Sequence, residues 1–241
     1  EGNLTADKFN VGSLINNKTL GEVSFNSNMT ALLRDTKRGG SEFYIDSITV
    51  KQLEFRDYSY SNIQATGSYV GEKFDGKIIC HDPNLDFLFQ GVFGMSSKSD
   101  SYYDFYADIM FADLAKLNLD KRDSVSLVSL RTTANFTQKL NGEILGNIQV
   151  RGLDYTNSNG EFPIGDIFIN SASSREMYDV TLRSQFADMR YRGSHFLTRF
   201  ADRIAMAAAF RHLPLLRNES SKDEENYGKE NYSFTLNLND T

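Results

Sequence analysis

Apolar and polar side chains alternate with a period of two along most of this chain. Val23, Phe25 and Met29 are set against Ser24, Asn26, Asn28 and Thr30. Ile63, Ala65, Gly67 and Tyr69 are set against Gln64, Thr66 and Ser68. The longest stripe, Tyr103, Phe105, Ala107, Ile109 and Phe111, faces away from Asp104, Tyr106 and Asp108. Further stripes run through Leu130–Phe136, Ile144–Val150, Ile167 and Ile169, and Val180 and Leu182. Successive side chains of a strand point to opposite faces, so this rhythm predicts strands with one apolar face each. The breaks carry turn chemistry at 38–41, 71–73, Asn141-Gly142, 157–160 and Ser171–Glu176. Strands at close, regular spacing with no helices between them predict antiparallel sheet and exclude βαβ units.

Asp82-Pro83-Asn84 reads as a turn feeding a strand in which Leu85, Phe87 and Phe89 all face one way. A related run, 185–193, follows about a hundred residues later. Ile48–Phe55 aligns with Ile148–Tyr155, and the 75–93 segment with 179–196, in the same order. Two linked matches predict an internal repeat, and repeated strand clusters stack into elongated structures. The expected organisation is a repetitive β-region over 1–195, with related clusters at about 20–120 and 121–195. After it the period changes. Leu197, Phe200, Ala201, Ile204, Ala205 and Ala208 follow helical spacing, which predicts an amphipathic capping helix over 196–217, ended near Pro214. Residues 218–231 read as a charged linker, and 232–241 as the start of the next strand.

Composition narrows the function. The chain has 241 residues, 40% of them hydrophobic, and a net charge of −6. That balance opposes nucleic acid, which requires a basic face. A lone cysteine, Cys80, excludes an internal disulfide framework. The apolar stretch 204–210 is too short to span a bilayer. His81, His195 and His212 lack ligand spacing, and no nucleophile elbow, phosphate loop or dinucleotide fingerprint is present. The expectation is a protein without enzymatic activity and without metal or cofactor.

What remains is the apolar face. A long sheet with little helical sequence to cover it either folds on itself as an open sandwich or curls into a trough. A trough lined with Phe, Leu, Ile and Val suits acyl chains, which need apolar walls and little directional bonding. The candidate lining is Val23, Phe25, Leu53, Phe55, Leu85, Phe87, Phe89, Phe105, Ile109, Phe111, Ile148 and Val150.

Asp82-Pro-Asn-Leu-Asp-Phe-Leu-Phe-Gln-Gly91 resembles a recurrent segment of the TamB/AsmA-like translocation and assembly module family of Gram-negative envelopes. Leu53–Gly67, with its Tyr58-Ser-Tyr60 and Asn62-Ile63, is similar to that family's tyrosine-rich strand unit, and Phe74-Asp-Gly-Lys-Ile78 lies between the two. Phe105–Leu119 resembles its Ala-Asp-Leu…Leu-Asn-Leu strand end. The resemblance covers roughly residues 10–215. It implies an elongated β-taco in the periplasm, anchored to the inner membrane in the intact protein. It also implies phospholipid acyl chains and the outer-membrane assembly machinery as partners, and flanking modules of the same chain paired through the sheet edges. Two alternatives stand beside it: a scaffold that assists outer-membrane proteins by adding strands at its edges, and a carbohydrate-binding or adhesin β-sandwich displaying Tyr58, Tyr60, Tyr102 and Tyr103.

Overall fold

A computed structural model of the chain describes residues 1–32, 42–94, 96, 98–174, 177–194 and 231–239. Its strands form one antiparallel sheet of thirteen, each hydrogen-bonded to its sequence neighbours in the order β1 to β13. They are β1 Gly2–Asn10, β2 Leu20–Leu32, β3 Glu42–Phe55, β4 Tyr58–Val70, β5 Lys73–Asp82, β6 Leu85–Gly94 and β7 Ser101–Asp113. They continue as β8 Ser126–Gln138, β9 Ile144–Asn157, β10 Gly160–Ser174, β11 Met177–Ser184, β12 Ala187–Gly193 and β13 Tyr232–Leu238. One helical turn, α1 (Val11–Ile15), joins β1 to β2; the Asn10 side chain caps it by accepting from the Ser13 amide. β1 and β13 do not pair, so the sheet is open. At about 4.8 Å per step, twelve steps give a stack roughly 58 Å long.

The local reasons are legible in the turns. Arg56-Asp57 and Gly71-Glu72 take positive φ at both positions (52° and 62°; 59° and 60°), the mirror-image turn that matches strand twist. Pro83-Asn84 closes β5 onto β6, with the Asp82 side chain accepting from the Asn84 amide at 2.9 Å. The connections that are described throughout leave the sheet at two rims. The Pro83 rim carries α1, 56–57, 83–84, 114–125, 158–159 and 185–186, and the opposite rim carries 71–72 and 139–143.

Several expectations are corrected. All thirteen strands belong to one sheet, so among the described residues there is no second sheet to make a sandwich. β7 pairs directly with β8, so the two strand clusters form one continuous sheet. The matched segments lie at equivalent places six strands apart: β3 against β9, and the β5–β6 hairpin against β11–β12. The break expected at Ser171–Glu176 starts too early, because Ser171–Ser174 still pair with Met177–Val180. The helix expected over 196–217 lies outside the described residues, as does nearly all of the expected 218–231 linker. The strand expected from 232 is β13. The alternation predicts neither β1 nor α1.

Candidate functional site

Directly paired residues of neighbouring strands share a face, so register converts into rows that cross the sheet. One row runs through every strand. It starts with Gly2, Met29, Ile45, Gly67, Gly76 and Gly91. It continues with Phe105, Ala134, Ile148, Ile169, Leu182, Met189 and Leu236. No polar side chain interrupts it. A second row on the same face holds Ile48, Ala65, Ile78, Phe89, Ala107, Thr132, Val150 and Ile167. A third holds Phe25, Val50, Ile63, Cys80, Phe87 and Ile109. Toward the rim away from Pro83, six aromatic residues are in line: Phe43, Tyr69, Phe74, Phe93, Tyr103 and Phe136. The other face is polar, as in the row Ser68, Asp75, Val92, Asp104, Asn135, Asn147 and Asn170.

Of the residues expected to line an apolar face, all but Phe111 fall on this one. Val23 is in register with Leu53 and Tyr60, Phe55 with Tyr58, and Leu85 with Ala112. Phe111 departs because the β6–β7 register shifts beside Phe87: Phe87 opposes Ile109, whereas Asp86 opposes Phe111. That bulge turns Phe111 to the face of His81 and Asp86, and it is 37% exposed. Most of the remaining lining is half-buried by its neighbours within the sheet, and Val23 and Phe89 are buried.

Three glycines shape the middle of the face. Gly67, Gly76 and Gly91 stand side by side on β4, β5 and β6. A Cβ at Gly67 would meet the Asp75 carbonyl at 2.3 Å, and one at Gly91 the Asp104 carbonyl at 2.3 Å. Their φ values of 144° and 140° are ones that L side chains avoid. Only glycine lets the strands bend so closely here. The vacated space is filled by rings: Phe74 packs within 5.1 Å of Phe93, and Phe89 within 5.3 Å of Phe105, centroid to centroid. Each deeply buried Phe contributes about 1.5–3 kcal/mol.

At the Pro83 rim the face is closed by the 114–125 connection. Leu117, fully buried, packs with Tyr60 and Ala112, surrounded by Leu53, Phe55, Leu85, Ile109 and Val128. The turn that presents Leu117 is tied by amides of Leu119 and Asp120, both donating to the Leu114 carbonyl at 2.9 Å. Asn118 takes the left-handed conformation, φ 59°. Asp120 accepts from Arg122 at 2.9 and 3.0 Å and from the Ser126 hydroxyl at 3.2 Å. The Arg122 guanidinium holds the Asp120 carboxyl far below the usual range.

The Asp82-Pro-Asn signature has a structural role. Buried Asp82 accepts from the Tyr58 hydroxyl, from the Ser61 amide at 2.8 Å, from the Ser61 hydroxyl at 2.9 Å and from the Asn84 amide. Burial opposes its ionisation, but these donors outweigh burial and lower its pKa below the usual 3.8. Burial, reinforced by the bond to Asp82, pushes the Tyr58 phenol up to about 12. Cys80 is 2% exposed, and burial raises its thiol, which makes it an inert wall residue. Tyr58 and Tyr60 are thus committed to packing and to this network. Tyr102, 43% exposed, accepts from the Asn135 amide at 3.0 Å on the polar face, while Tyr103 stacks on Phe136 at 4.5 Å on the apolar one.

Among the described residues no three His, Cys, Asp or Glu side chains gather as metal ligands, and no helix is long and apolar enough to cross a membrane. No protein-family model matches the chain, and neither a curated protein nor a solved structure does. Over the described residues the site therefore defines a class on its own geometry: an open, one-layer β-sheet with an apolar face running across all its strands.

Proposed function

We propose that this sheet is a non-enzymatic segment of a periplasmic envelope protein, curled into a β-taco whose apolar face carries lipid acyl chains between the inner and outer membranes. The observation that carries the reading is the row from Gly2 to Leu236, which crosses thirteen strands without a polar side chain. Over the described residues no second layer of secondary structure covers it. A lining of this kind solvates hydrocarbon without fixing its orientation, as a conduit requires. The aligned glycines and the register shifts in β2, β3, β7 and β10 are the devices that bend sheets. The resemblance of residues 53–119 to the TamB/AsmA-like family supports the same reading. In the intact protein, an inner-membrane anchor and contact with the outer-membrane assembly machinery would accompany it.

Delipidated protein should take up a fluorescent fatty acid, and Phe105→Asp, which puts a carboxylate in the middle of the row, should weaken uptake about tenfold or more. Absence of uptake by well-folded protein would overturn the proposal.

A second reading has its own observation. β13 is exposed along its whole length, with Leu236 52% and Leu238 78% exposed, and it borders the sheet. Such an edge pairs with added strands, either flanking modules of the same chain or client outer-membrane strands. Crosslinks from client strands confined to β13 and β1 would favour it.

A further inference from the structure

Among the described residues the open sheet ends at β1 and β13, and the outer edges of these two strands differ in what they offer a further strand. At the β1 end the register with β2 breaks between Ala6 and Phe9. Lys8 lies in that break with φ 49°, its amide donating to the Ser24 hydroxyl oxygen at 2.9 Å. Asp7 beside it accepts from the same hydroxyl at 3.3 Å. A bulge carrying two charges interrupts the backbone groups that an incoming strand would read, and β1 keeps regular register only over Gly2–Ala6 and Phe9–Asn10.

β13 has none of those guards. Its residues, Tyr232-Ser-Phe-Thr-Leu-Asn-Leu238, include no charge, proline or glycine. All of them pair with β12 without a register shift, from Tyr232 opposite Gly193 to Leu238 opposite Ala187. Leu236 belongs to the apolar row, so Phe234 and Leu238 share its face, and Ser233, Thr235 and Asn237 lie on the polar one. A straight, neutral strand of β-forming residues pairs readily with another of its kind.

Its sequence is also self-complementary. A two-fold axis perpendicular to the sheet at Thr235 lays β13 antiparallel against β13 of a second copy. Each residue then meets one of the same face: Thr235 its own counterpart, Phe234 Leu236, Ser233 Asn237 and Tyr232 Leu238. No other two-fold register pairs the whole strand, and in this one no charge opposes another. The two apolar faces lie on one side and join. The guarded β1 strands then terminate the double sheet at both ends, so growth stops at two copies. Head-to-tail contact of β13 with β1 would repeat without closing.

We propose that two copies of this chain pair through β13 into a closed two-fold dimer with one continuous sheet. This rests on the edge reading above and narrows it to β13 and to a second copy.

Sedimentation equilibrium of the 241-residue chain should show monomer and dimer and no larger species. Thr235→Glu sets two carboxylates opposite each other at the axis and should weaken the dimer at least about tenfold. Within each copy the new carboxylate is opposite Arg190, so β13 keeps its place on β12. Thr235→Lys should weaken the dimer in the same way, and mixing the two variants should restore a mixed dimer, because opposite charges then meet at the axis. Thr5→Glu, on β1, should leave the dimer unchanged, and circular dichroism checks that every variant keeps its sheet. A dimer that survives Thr235→Glu, a mixture that stays monomeric, loss of the dimer in Thr5→Glu, or open-ended fibres would overturn the proposal. A fluorescein-labelled peptide of residues 231–239 separates it from the edge reading. If the chain stays monomeric at roughly 100 µM yet binds the peptide, pairing of copies is overturned and the edge stands as a strand acceptor. If it neither dimerises nor binds the peptide, both are overturned.

Discussion

Leu117 is the residue on which closure of the Pro83 rim turns, and truncating it to alanine is the sharpest structural test. Its side chain is fully buried among Tyr60, Ala112 and the half-buried residues around them. Leu→Ala changes at buried sites cost about 2–5 kcal/mol, depending on how far the surroundings collapse. The Leu117 turn can settle only partly, because Leu119 and Asp120 tie it to the Leu114 carbonyl and Arg122 holds Asp120 from outside. An intermediate cost of about 3 kcal/mol follows. Hydrogen exchange is the suitable assay, since a long stack of strands need not unfold as one unit. The amides of Leu119 and Asp120, both hydrogen-bonded inside the turn, should exchange roughly 100-fold faster in Leu117→Ala. Leu119→Ala is the control: that side chain is 43% exposed and its loss should cost about 0.5 kcal/mol or less. Equal exchange in the two variants would refute the assignment of Leu117 as the plug.

Two further predictions concern backbone and charge. Gly91→Ala should cost about 3 kcal/mol or more, read as a lower urea midpoint, because its Cβ would strike the Asp104 carbonyl at 2.3 Å with φ held at 140°. Gly142→Ala, where φ is 85° but nothing lies within 4 Å, should cost only about 1 kcal/mol, so similar losses at the two sites would count against the crowding argument. For the Tyr58–Asp82 pair, the raised phenol contributes stability that is full below pH 10.0 and disappears as pH rises through about 12. The lowered Asp82 carboxyl contributes stability that is present above pH 3.8 and disappears as pH falls through its folded value. Tyr58→Phe should flatten the alkaline limb of a stability–pH profile, and an unchanged limb would show that another group controls it.

Much of the sheet was legible because one physical rule, burial of one face, imposes alternation on every strand from β2 to β12. The turns at 71–72, 83–84 and 157–160 were legible for the same local reasons that form them. The rows were not. Register across thirteen strands depends on bulges that no periodicity announces, and the shift beside Phe87 puts Phe111 on the face opposite the one its alternation predicts. The segment 114–119 read as a strand end only through the family resemblance, and no local periodicity announces the turn that buries Leu117. β1 escaped notice because Leu4 is its only large aliphatic residue before Phe9, and nearly all of it is exposed. Gly67, Gly76 and Gly91 read as ordinary strand positions until pairing set them side by side.

The central claim, that hydrocarbon lies along the row crossing the strands, is tested most directly by placing a photo-crosslinking residue at single positions on each face. With the protein loaded with lipid, Ile45, Ile148 and Leu182 should each yield acyl-chain adducts, because they belong to the uninterrupted apolar row. Gln64, Gln149 and Thr181, on the polar face, should yield none. Adducts at equal frequency on both faces, or none at the three row positions in folded protein, would contradict the account.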